Sequence, residues 1–246
     1  MTDKVVPLLK PRSDLGVRTL SAVVMLLVAG TALWFGGNIW FVFVAVVAAV
    51  CVVEFIRLIF MATDKLARRI FGSILAVIYV GFAGFALAEA RHAWLHDNDG
   101  YLGLVTAISL IGIVVSTDIG AYCSGRAIGG PKIAPKISPS KTWAGLIGGM
   151  TAAAFWSAIS MYIFATIVDT FDNYTIPVSK WIWAFAVGAF LAVFAQIGDF
   201  FESWLKRCAG VKDSSKLIPG HGGVFDRIDG LLSVVIVSTL FNLRPF

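Results

Sequence analysis

Apolar residues run in blocks near 17–36, 38–59, 70–90, 102–122, 143–168, 181–201 and 226–243, separated by short polar segments. An α-helix needs roughly 20 apolar residues to cross a hydrocarbon core of about 30 Å. The pattern therefore predicts an all-α, polytopic transmembrane helical protein of about seven spans. A range of roughly six to nine is compatible, because only Gly36, Gly37 and Asn38 separate the first two blocks. The first block follows Lys4, Lys10, Arg12 and Arg18, yet it has no small-residue cleavage pattern and leads directly into the second, so it reads as a retained helix rather than a signal peptide. Neither an internal repeat nor a low-complexity tract is visible.

Composition agrees with the block pattern. Of 246 residues 58% are hydrophobic and 14% charged, and the mean hydropathy is +0.84, leaving too little polar surface to coat a water-soluble domain. The same figures exclude a disordered chain, a collagen-like fibre and a disulfide scaffold. Cys51, Cys123 and Cys208 are too scattered for a disulfide framework or a zinc site. The net charge of +5 does not point to nucleic acid, because the basic residues follow a topology. The N-terminus through Arg18, the segment Arg57 to Arg69, the 123–142 loop and the 202–227 segment hold 17 of the 20 Lys and Arg. The alternate segments hold Arg91, Lys180 and Arg244, with Asp97, Asp99, Asp169 and Asp172. By the positive-inside rule the N-terminus and both long polar loops are cytoplasmic, and an odd number of spans puts the C-terminus outside. The expected organisation is a set of N-terminal helices over 1–100 and a catalytic region over 101–246 with cytoplasmic loops at 123–142 and 202–225. Chemistry would then lie at the cytoplasmic face of a multi-pass protein of the cell (inner or plasma) membrane.

Acids inside apolar runs are expensive and mark function by default. Glu54 lies three residues before Arg57, and a local i,i+3 pair accounts for it. Glu89 sits at an outer helix end within reach of water. Asp118, Asp199 and Asp229 belong to denser groupings. At 3.6 residues per turn Asp199, Ser203, Lys206 and Arg207 share one helix face, with the carboxylate deeper than the cations. Next come Lys212, Asp213 and Lys216, then Gly220, His221, Gly222 and Gly223 before the seventh block. These glycines free the backbone to approach a ligand, and the following helix N-terminus would present unpaired N–H groups to an anion. Asp226 and Asp229, spaced i,i+3, suggest Mg²⁺ held against phosphates beside that loop. The 123–142 loop joins Asp118 to Arg126, Lys132, Lys136, Ser138 and Lys141, and its three prolines argue for a shaped loop rather than a tether. Soluble nucleotide-binding motifs and the zinc-deaminase pattern are missing.

Ser203-Trp204-Leu205-Lys206-Arg207, then Lys212-Asp213, then Pro219-Gly220-His221-Gly222-Gly223-Val224-Phe225-Asp226-Arg227-Ile228-Asp229 resembles the signature of phosphatidate cytidylyltransferases, also called CDP-diacylglycerol synthases, over 27 residues. The stretch from Asp118 through Gly125-Arg126 and Lys132-Ile133-Ala134-Pro135-Lys136-Ile137-Ser138-Pro139-Ser140-Lys141-Thr142-Trp143 resembles a second conserved region of that family. One departure is Ala144, where many members carry Glu or Gln. The resemblance implies transfer of CMP from CTP to phosphatidate, giving CDP-diacylglycerol and pyrophosphate in phospholipid biosynthesis. It also implies a divalent-metal site at Asp199 and Asp226, occupied by Mg²⁺ with a second cation such as K⁺ beside it.

On that reading Lys206, Arg207, Lys212, Lys216 and Arg227 screen the phosphates, and Asp229 serves the metal shell or a basic partner. His221 with Gly222 and Gly223 holds the triphosphate. Ser203, Asp213, Asp118, Arg126, Lys132, Lys136, Ser138 and Lys141 complete the substrate contacts. The partners are CTP, phosphatidate and the bilayer, with no nucleic acid; a homodimer is compatible. Two rivals are a CTP-dependent polyprenol or phytol kinase, in which His221 would be the base, and a secondary transporter, which would show an internal repeat.

Overall fold

A computed structural model describes residues 14–92, 101–168 and 176–243. Lys4, Lys10, Arg12, Asp97, Asp99, Asp169, Asp172 and Arg244, used above to assign sidedness, lie outside them. The described residues form a bundle of seven helices: α1 (Asp14–Phe35), α2 (Gly37–Ala62), α3 (Leu66–His92), α4 (Tyr101–Ala127), α5 (Trp143–Val168), α6 (Val178–Cys208) and α7 (Phe225–Leu240). The first six are long and apolar enough to cross a membrane, making this a multi-pass membrane protein. Leu20, Leu26, Leu27 and Trp34 of α1 and Ile78 of α3 face outward, as lipid-facing side chains do.

The expected seventh span is the short helix α7, whose 16 residues rise only about 24 Å. It packs against α3, α4 and α6, burying Val234, Val235 and Val237 in one core cluster and Phe225 and Leu232 in another. The expected loop at 123–142 folds as a small antiparallel hairpin of β1 (Lys132–Ala134) and β2 (Ser138–Thr142). Between the first two apolar blocks the helix breaks at Gly36, whose φ of 62° suits a residue without Cβ. There Arg91 of α3 donates to the carbonyls of Leu33 and Trp34 at 3.1 and 3.4 Å, satisfying the end of α1.

The crossing of α6 and α7 sets the position of the acids. A Cβ on Gly198 would lie 2.5 Å from both the Asp229 carbonyl oxygen and Ser233 Oγ, and one on Gly230 would lie 3.1 Å from the Ala195 carbonyl oxygen. Small residues on both sides let the backbones touch, and the neighbouring Asp199 and Asp229 are brought together as a result. Phe55 of α2 stacks on Phe225 at a centroid distance of 5.0 Å and 17° between planes, which seats the start of α7 against α2.

Candidate active site

Two adjoining cavities open where α4, α6, α7 and the hairpin meet. The acidic one, about 300 Å³, is lined by Asp118, Asp199, Glu202, Asp213, Asp226 and Asp229, with Lys206 and Arg227 as its cations. The basic one, about 440 Å³, is lined by Arg126, Lys132 and Lys141 from α4 and the hairpin. Asp118 and Asp199 line both and form the boundary between them.

Asp199 sits at the centre of this arrangement. It pairs with Lys141 of β2 and accepts a hydrogen bond from Ser203 at 3.2 Å. Carboxylate oxygens of Asp199, Glu202 and Asp229 converge within 4.8 Å of one another, a spacing that suits one cation. Sequence reasoning passed over Glu202. Its signal was its i,i+3 spacing from Asp199 and i,i+4 spacing from Lys206 on the same helix. The side chain is fully buried, and its oxygens have no hydrogen-bond donor beyond the 2.5 Å ion pair with Lys206.

Asp226 is heavily engaged. Lys206 Nζ donates to its Oδ1 at 2.7 Å, while the Ser214 N–H, Ser214 Oγ and the Gly223 N–H donate to Oδ2 at 2.9, 2.9 and 2.7 Å. Lys206 therefore bridges Glu202 of its own helix and Asp226 of α7. Asp229, one turn further on, accepts from the Gly230 N–H at 2.8 Å.

Glu54 corrects the local reading. It is buried while Arg57 points outward, and no ion pair joins them among the described residues. Instead its carboxylate accepts hydrogen bonds from Ser215 Oγ (2.6 Å), the Val224 N–H (3.1 Å) and the Phe225 N–H (2.7 Å), and shares with Asp226 the single hydroxyl proton of Ser214, whose Oγ lies 3.0 Å away. The start of α7 is thus already taken by an anion of the protein itself. This overturns the expectation that its N–H groups stand open to a ligand. The Gly223 N–H belongs to Asp226, and the His221 and Gly222 N–H groups donate to the Ile218 carbonyl at 3.0 and 3.1 Å. The N–H groups of His221, Gly222, Gly223, Val224 and Phe225 are therefore all engaged within the protein.

The remaining expected residues divide by position. Arg227 donates to the His221 carbonyl through Nε and Nη2 at 3.1 and 2.7 Å while lining the acidic cavity. His221 Nδ1 lies 2.8 Å from Ser21 Oγ of α1, and the imidazole lines neither cavity. Lys212, Lys216 and Lys136 are exposed and also line neither. Ser138 is half-buried on β2, and Arg207 Nε donates to the Ile137 carbonyl at 3.4 Å, tying α6 to the hairpin.

A family model described as the cytidylyltransferase family matches residues 63–243. The chain belongs to this family. Among cytidylyltransferase relatives, a protein named phosphatidate cytidylyltransferase from Brucella suis biovar 1 (strain 1330) is 41% identical over 166 residues, which are 68% of this chain and 55% of that protein. One of the same name from Haemophilus influenzae is 38% identical over 183 residues, 74% of this chain and 59% of its own. Another from Rickettsia bellii (strain RML369-C) is 32% identical over 233 residues, 95% of this chain and 93% of its own. The chain spans little more than half the length of the first two and nearly all of the third. The family match takes in α6, α7, the hairpin and both cavities, whereas Glu54 lies before its first residue.

Proposed function

We propose that this cytidylyltransferase-family chain transfers CMP from CTP to phosphatidate, leaving CDP-diacylglycerol in the bilayer and releasing pyrophosphate. The observation that carries the reading is the boundary at Asp118 and Asp199, where a carboxylate-lined cavity and a cavity lined by Arg126, Lys132 and Lys141 adjoin. Joining two phosphorylated substrates needs both surfaces side by side. The relatives named above as phosphatidate cytidylyltransferases support the same choice.

The attacking atom is a phosphomonoester oxygen of phosphatidate. Its second ionisation falls near pH 6, so the dianion predominates at neutral pH and no general base is needed. The oxygen bonds to the α-phosphorus of CTP as the α–β anhydride bond breaks, and pyrophosphate leaves with the electron pair. The obstacle is anion meeting anion. Lys206 and Arg227 face the acidic cavity and Lys141 stands at its edge, placed to offset the charge on the triphosphate and the leaving group. Asp226 and Glu202 hold Lys206 in that position.

The donor set fits Mg²⁺: every donor is a carboxylate oxygen, and the buried Glu202 has only Lys206 as its counter-ion. Asp199, Glu202 and Asp229 would hold the cation, with Asp226 joining them in exchange for its Lys206 contact. When bound, the cation supplies charge screening and in-line clamping of phosphate oxygens. Six carboxylates against two cationic side chains leave charge for a second cation such as K⁺.

Detergent-purified protein given labelled CTP, phosphatidate and Mg²⁺ should release pyrophosphate and form a lipid-extractable CMP conjugate. Phosphate appearing on an added polyprenol with no CMP-lipid would replace this reading with the kinase. His221, the base that alternative would use, lines neither cavity.

The clustering of basic residues supports a cytoplasmic location for the hairpin and the end of α6. Cys208, exposed at that end, should react with a membrane-impermeant maleimide in inside-out vesicles and stay unlabelled in right-side-out ones, read by peptide mass spectrometry. Labelling from the outer side alone would invert the topology.

A further inference from the structure

We propose that the basic cavity seats the phosphomonoester of the acceptor lipid directly on Arg126 and Lys132, without a divalent cation, leaving the acidic cavity to the nucleotide and its metal. This rests on the transfer reading above and assigns its two substrates to separate subsites. Arg126 and Lys132 pair with no carboxylate among the described residues. The Arg126 guanidinium stacks over the Tyr122 ring at 5.2 Å and donates to the Tyr122 hydroxyl, which holds its fork in place. Lys132 Nζ reaches only the Ser140 carbonyl, at 3.3 Å. Two cations without counter-ions on one cavity wall call for a small dianion, and a guanidinium offers it paired parallel donors.

The walls identify what carries that dianion. Asp118 and Asp199, the latter paired with Lys141, close the end that meets the acidic cavity, and Tyr122, Gly125, Gly145 and Leu146 are among the residues lining the rest. Around it Ile119, Tyr122, Trp143 and Ile147 are 59%, 60%, 51% and 62% exposed on α4 and α5, which sets apolar side chains near the exposed Arg126 and Lys132 at the bundle surface. Only Val114 is apolar in the lining of the acidic cavity. Unpaired cations beside exposed apolar side chains suit an amphiphile whose chains stay in the bilayer. The acidic cavity, with six carboxylates against Lys206 and Arg227, suits an anion that arrives with a metal.

The test uses the full chain in nanodiscs with EDTA, titrated with dioctanoyl phosphatidate and followed by calorimetry. Dioctanoylglycerol, glycerol 3-phosphate and inorganic phosphate serve as parallel titrants. Phosphatidate should bind without divalent cation, at least about 10-fold more tightly than glycerol 3-phosphate or phosphate, and dioctanoylglycerol should bind weakly. The Arg126→Met/Lys132→Met pair should weaken phosphatidate binding by about 10-fold or more and raise its KM correspondingly, with KM for CTP within about 2-fold of the parent. Arg126→Lys should recover part of the loss, which separates a charge contact from a folding defect. Binding that requires Mg²⁺, inorganic phosphate binding as tightly as the lipid, or a rise in KM confined to CTP would each overturn the assignment. If phosphatidate binds through these two residues but no CMP-lipid forms, the transfer reading fails while the lipid-phosphate seat stands.

Discussion

Replacing Asp199 with Asn should lower CMP transfer by about 10²- to 10³-fold while the protein still inserts and elutes normally. Asp199 is the residue on which the site converges. It pairs with Lys141 from the hairpin, accepts from Ser203, and contributes an oxygen to the trio with Glu202 and Asp229. Asparagine keeps the size and one carbonyl acceptor but removes the charge that both a cation and Lys141 require. The loss should therefore be accompanied by weaker Mn²⁺ binding, measured by electron paramagnetic resonance on substrate-free protein. Ser203→Ala, which removes one 3.2 Å hydrogen bond to the same carboxylate, should cost no more than about 10-fold. Near-normal turnover of Asp199→Asn at limiting Mg²⁺ would make the residue a structural partner of Lys141 and nothing more.

The second large effect is expected far from the signature residues. Glu54→Ala leaves three donors without their acceptor, the Ser215 hydroxyl and two backbone N–H groups at the start of α7, in a site packed by the Phe55 and Phe225 stack. Buried donors left without partners cost about 1–3 kcal/mol each, and such losses are not additive, so a destabilisation of about 3 kcal/mol or more is expected. Ser214 also donates to Asp226, so the damage should reach the Lys206 bridge. A lower Tm in detergent, faster proteolytic cleavage within 209–224 and reduced transfer should appear together. Glu54→Gln, which keeps one acceptor oxygen, should fall between the parent and Ala. An unchanged Tm and cleavage rate in Glu54→Ala would mean that the start of α7 holds itself.

The sequence by itself determined the solvent and singled out the acids that the structure gathers. Runs of about 20 apolar residues have only one low-energy environment, and acids within such runs are too costly to be incidental. Asp118, Asp199 and Asp229 were legible for that reason, Asp226 and Lys206 from their helical spacing to those acids, and the structure brings all five to one cavity. Spacing along a helix reveals neighbours three or four residues apart and nothing further. Glu54 had Arg57 at that distance, and nothing local indicated that donors some 160 residues away would claim it. Those donors arrive only because α2 and α7 pack through Phe55 and Phe225. The glycine-rich loop looked open for the same reason: a free N–H and one already bonded to Asp226 or Glu54 are identical in sequence. Burial was equally hidden. Glu202 and Ser203 are adjacent and both polar, but the turn of α6 puts Glu202 in the interior beside Lys206 and leaves Ser203 half-exposed beside Asp199. Which carboxylates converge was decided by how closely Gly198 and Gly230 let two helices approach, a distance set by packing between segments and not by either segment alone.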